Sequence, residues 1–123
     1  MTDKTLSYLD YLKLLDILRS YSLTPFASES IASLRPLISL QEIESRQDKI
    51  EAVIELVRWE GKLPLADIPD IRDILKRIFI KDAIIEEKEF LAVARFLRAC
   101  VDLFIFLKKA FNKKPFIEEI LQR

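Results

Sequence analysis

Lys108, Lys109, Lys113 and Lys114 crowd into one short stretch of the chain. Ammonium groups so placed can contact a phosphate backbone, which supplies affinity without sequence choice. They equally suit a helix C-terminus and a solvated loop, since the helix dipole favours cations there. The second reading is favoured, and the four lysines stand as a weak candidate contact for nucleic acid. Glu86, Glu87 and Glu89 could form a carboxylate metal or acid/base site. Acid at a helix start is the simpler account. Trp59, with Tyr8, Tyr11 and Tyr21, could stack on bases. These aromatics are not interleaved with a basic stripe, so core or rim packing is the expected role. Cys100 lies among apolar residues and is expected to be a buried, inert thiol.

Composition removes most other chemistry. The chain has 123 residues, no histidine, one cysteine and one glycine. The usual neutral-pH base and zinc ligand are therefore missing, and no glycine-rich phosphate loop can form. No nucleophile–base motif is visible, so no catalytic, cofactor or metal residue is assigned. Twenty basic and twenty acidic residues cancel overall. Charge is nonetheless unequal along the chain, with the first half net acidic and the second half net basic.

The elements that must position these groups read as helices separated by prolines. Apolar residues Tyr11, Leu12, Leu14, Leu15, Ile17, Leu18 and Tyr21 mark a helix over 10–21, with Asp10 as N-cap. Thr24-Pro25 opens a second helix that ends before Pro36. Ser39 and Glu42 fit a capping box, and Gly61 closes that third helix. Glu42 with Arg46, and Glu55 with Arg58, have ion-pair spacing on its outer face. A short helix follows over 70–79, with Ile71, Ile74, Leu75 and Ile78 inward. Lys81-Asp82-Ala83 makes a turn. The longest helix runs over 86–111 and is apolar around most of its circumference, as a central helix is. After a break at 112–115, another turn or two of helix begins at Phe116.

The expected fold is all-α, a bundle of about five to six helices with the last long one central. The chain is expected to be one helical domain, or one piece of a larger one. Charged residues interrupt the greasiest stretch, Phe90 to Phe111, so no membrane span is expected. No secretory signal is visible, and a cytoplasmic location is expected.

In order and spacing, these segments resemble the N-terminal region of the second-type bacterial MutS family. That branch carries a C-terminal Smr domain and is a paralogue of the DNA mismatch repair MutS. Its opening Leu-Glu-Phe-x-Lys-Ile-Leu-x-x-Leu is similar to Leu9-Asp10-Tyr11-Leu12-Lys13-Leu14-Leu15-Asp16-Ile17-Leu18, with Tyr21 at matching distance. Thr24-Pro25, Leu34-Arg35-Pro36, and Glu42-Ile43 followed by Gln47 and Glu51-Ala52 continue the resemblance. So do Gly61 with Leu63-Pro64-Leu65, Asp70-Ile71-Arg72, Leu75-Lys76-Arg77 and the stretch from Glu87 to Arg98. The likeness covers about residues 6 to 110. Ala27 and the Lys81-Asp82-Ala83 turn lack glycines usual in the family.

The resemblance implies an ATPase parent that dimerises through its nucleotide domains and clamps nucleic acid. Such proteins are associated with restraint of homologous recombination and with recognition and splitting of collided ribosomes. Their Smr portion is associated with endonuclease activity. This chain would be the non-catalytic start of the helical core, or lever. Its partners would be the parent's clamp and ATPase domains, and no membrane. ATP and Mg²⁺ would be cofactors of the parent, with none held here. Phe116-Ile117-Glu118 matches the Phe-x-Glu of mismatch readers, whose aromatic wedges into DNA. Here it follows Pro115 at a helix start and is read as coincidence. The alternative function is a free-standing helical module for protein–protein interaction.

Overall fold

The computed structural model describes residues 2–122. Seven helices and no strand occur among these residues: α1 Asp3–Tyr8, α2 Tyr11–Ser20, α3 Pro25–Ala32, α4 Leu40–Glu60, α5 Arg72–Ile78, α6 Glu87–Lys113 and α7 Pro115–Gln122. They form two compact units. The first holds the chain up to Arg35 together with Leu65–Phe96. The second holds Pro36–Pro64 and the chain from Leu97 onward. α6 therefore contributes its N-terminal part to one unit and its C-terminal part to the other.

Local chemistry explains most helix ends. Thr24 Oγ1 accepts from the Ala27 N–H at 3.1 Å, and Pro25 takes the first helical position of α3. Ser39 Oγ accepts from the Glu42 N–H at 3.4 Å, while Glu42 makes no return bond. The capping box is thus half formed. Gly61 ends α4 at φ 88°, a backbone that side-chain-bearing residues rarely adopt. At the start of α6 the Glu89 carboxylate accepts from the Glu86 N–H at 2.9 Å and also pairs with Arg77. Asp82 takes φ 64° and supplies the left-handed turn without a glycine.

Three sequence expectations change in detail. Asp10 precedes α2 in a left-handed conformation (φ 53°) and makes no cap bond. Its carboxylate instead meets Lys13 Nζ at 2.8 Å. α1 was not foreseen; Thr2 caps it, and it buries Leu6 to 2% exposure. Neither Glu42–Arg46 nor Glu55–Arg58 is among the ion pairs of the described residues.

In the first unit, Leu6, Leu15, Ile71 and Ile74 are buried. Leu75 and Ile78, expected inward, are half exposed because the short α5 can bury only one narrow side. Phe26 and Phe96 meet edge to face, with centroids 6.4 Å apart. Arg72 fastens this unit. Its guanidinium donates to both oxygens of Glu29 on α3 at 2.8 and 2.5 Å, and to Asp70 at 2.5–3.0 Å. It also lies 5.0 Å from the Phe26 ring centroid. The Asp70 carboxylate additionally accepts from the Arg72 backbone N–H at 3.0 Å, which starts α5.

These bonds hold the Asp70 carboxyl well below its ordinary value, from 3.8 down to about 2, mainly through the Arg72 side chain. Glu29 shifts the same way, chiefly by its bond from Arg72. A depressed carboxylate stabilises the fold above its unfolded pKa and loses that contribution as pH falls through the folded one. The first unit is therefore expected to lose stability on acidification from pH 3.8 toward about 2. Asp70→Asn should flatten that decline in a circular dichroism acid titration. An unchanged acid profile in the variant would contradict this role.

In the second unit, Ala52 and Leu56 of α4 are buried along with Ala110 of α6 and Ile117 of α7. Among the described residues Ile117 is the largest side chain that is fully buried, at 1% exposure. α7 is therefore pinned against α4 by one main anchor.

Candidate nucleic-acid interface

The four lysines lie at the C-terminal end of α6 and at its junction with α7. Lys113 Nζ donates to Glu60 Oε1 at 2.7 Å, and Lys109 Nζ lies 3.9 Å from Glu60 Oε2. The Glu60 side chain is only 13% exposed. Its carboxyl is held below the ordinary value, first by the Lys113 hydrogen bond and against the opposing effect of desolvation. Lys114 Nζ sits 4.2 Å from the centroid of Trp59 and 5.9 Å from that of Phe116. Lys108 is exposed and makes no ion pair among the described residues.

The structure thus gathers Lys109, Lys113 and Lys114 around the Trp59-Glu60 end of α4, a neighbour the sequence did not suggest. Trp59 was expected to pack in the core or at its rim. It is instead largely exposed, with the Lys114 ammonium over its ring. Three of the four cations are engaged internally. They tie α6 and the start of α7 to α4, and Lys108 is left without an ion pair among the described residues. Such a cluster can present positive charge to phosphate oxygens but reads no base edge.

The other candidates resolve as follows. Glu86 pairs with Lys88 at 2.8 Å, and Glu89 serves the helix start and Arg77. Among the described residues no group of three His, Cys, Asp or Glu could hold a metal ion. Cys100 is exposed, contrary to the expected burial, because its side of α6 is not covered. Phe116 is half exposed at the start of α7, beside the buried Ile117. Gly61 serves as the terminator of α4. Among the described residues no helix is long and apolar enough to cross a membrane.

An all-helical chain with helix-packing ion pairs and a lysine cluster is the class that these features define. The chain is also MutS2-like over most of its length. It is 34% identical over 80% of its residues to Endonuclease MutS2 of Latilactobacillus sakei, of which that match spans 12%. It is 30% identical over 99% of its residues to Endonuclease MutS2 of Alkaliphilus metalliredigens, of which the match spans 16%. The Acetivibrio thermocellus Endonuclease MutS2 is 34% identical over 84% of the chain and 13% of that relative. The chain therefore spans about one-eighth to one-sixth of the length of these curated relatives. No family model matches the chain. No solved structure matches it.

Proposed function

We propose that this chain is the N-terminal structural segment of a MutS2-like ATPase, the start of the helical core that joins a clamp to nucleotide domains. The observation that carries the reading is coverage of 80% and 99% of this chain by relatives many times its length. Its apolar surface supports the same reading. Among the described residues eight hydrophobic residues are buried, while twenty-six large ones stand exposed. A self-sufficient domain scatters a few such residues on its surface. Exposure on this scale suits a segment whose remaining packing partners lie elsewhere.

The role is mechanical. α6, with 27 residues, is roughly 40 Å long at 1.5 Å per residue, a stiff element able to carry movement between domains. ATP hydrolysis and nuclease chemistry belong to the rest of the parent, as does action on DNA or on collided ribosomes. The lysine cluster adds at most a weak phosphate contact. The purified chain is expected to hydrolyse no ATP, while the product of the whole gene does so with Mg²⁺. Hydrolysis by the chain alone, at a rate matching the whole product, would contradict the assignment.

A further inference from the structure

We propose that the groove between α4 and α7 docks a cationic amphipathic helix of a protein partner. The groove has a volume of about 430 Å³, with Ala52 and Ile54 of α4 and Phe116 and Ile120 of α7 as its apolar surface. Ile54 and Phe116 are 50% and 49% exposed, so apolar anchors are available to an incoming side chain. Asp48, Glu51 and Glu55 form the other wall. A second hollow continues it past Ile120 and adds Glu44.

The charge of that wall selects the occupant. Glu44, Asp48, Glu51 and Glu55 recur every three to four residues and so share one face of α4. The row extends roughly 16 Å at 1.5 Å per residue. None of the four has a cationic partner among the described residues. Elsewhere the carboxylates between packed elements are matched: Glu29 by Arg72, and Glu60 by Lys113. Like charges at this spacing repel. Arg58 lines the far end of the groove but does not pair with Glu55. The carboxylates are too dispersed to converge on one metal ion. A nucleic acid would meet the wrong sign. A helix with lysine or arginine along one side and leucine or phenylalanine along the next matches both walls at once.

The test is fluorescence anisotropy with the full chain. The probe is a fluorescein-labelled helical peptide bearing lysines at three- and four-residue spacing and leucines on the adjoining face. Saturable binding is expected, weakening as salt rises. The triple variant Asp48→Asn, Glu51→Gln, Glu55→Gln should weaken it about tenfold or more with helicity unchanged, since Asp48 and Glu51 are exposed, Glu55 is half-buried, and each replacement keeps the side chain's size. Phe116→Ala should weaken it as well. Three results would overturn the proposal: no saturable binding by the wild-type chain, equal binding by the triple variant, or equal binding of a peptide whose leucines are replaced by serine. Self-association that the triple variant abolishes, without peptide binding, would assign the groove to a second copy instead.

Discussion

Ile117→Ala is expected to destabilise the second unit by about 2–5 kcal/mol, the range for truncating a buried isoleucine. Ile117 is 1% exposed and is the largest fully buried side chain among the described residues. α7 has eight residues, too few to persist as an isolated helix in water. Its helical state therefore depends on docking against α4, and that docking depends on Ile117. The loss should appear as a lower urea midpoint by circular dichroism. Trp59 is the sole tryptophan and lies under Lys114 next to α7, so its emission should shift in the same transition. A loss below about 1 kcal/mol with unchanged Trp59 emission would mean that α7 is held by something else.

The second large effect concerns α6. Leu97, Val101, Phe104 and Ile105 are 57%, 52%, 66% and 59% exposed on neighbouring turns. Together they leave roughly 400 Å² of apolar surface in water, worth about 10 kcal/mol if fully covered. Association itself costs about 4–15 kcal/mol, so this patch alone supports only weak pairing of isolated chains. The apparent mass by sedimentation or light scattering should therefore rise with concentration. Val101→Lys with Phe104→Lys should return the chain to monomer throughout while helicity is kept. A wild-type chain that stays monomeric at every concentration and binds no hydrophobic dye would contradict an uncovered apolar face.

Local signals made much of the fold legible. Thr24-Pro25, Ser39 and Gly61 mark helix ends through bonds and dihedrals confined to a few residues, and the structure places helix ends at each. Helical periodicity likewise located α2, α4 and α6. Burial was less legible, because it depends on what faces a helix rather than on the helix. The apolar circumference of α6 suggested a covered helix, yet Cys100 and Phe104 are exposed. The short α1 escaped notice because six residues hold too little periodicity to register.

The candidate site was legible only in part. The lysine cluster is visible in the sequence, but its acceptors are not. Glu60 and Trp59 come to Lys113 and Lys114 through the packing of helices far apart in the chain. The same holds for Arg72 and Glu29, 43 residues apart. The acidic row on α4 is present in the sequence at positions 44, 48, 51 and 55. It gained meaning only when Phe116 and Ile120 supplied an apolar wall beside it.

The central claim is that this chain is one segment of a MutS2-like ATPase. Sequencing the gene beyond the codon for Arg123 tests it most directly. The expected result is an open reading frame that continues and encodes a Gly-x-x-x-x-Gly-Lys-Ser/Thr loop, the phosphate cradle that this chain lacks. A stop codon directly after Arg123 would contradict the claim and leave a helical interaction module with no ATPase to serve.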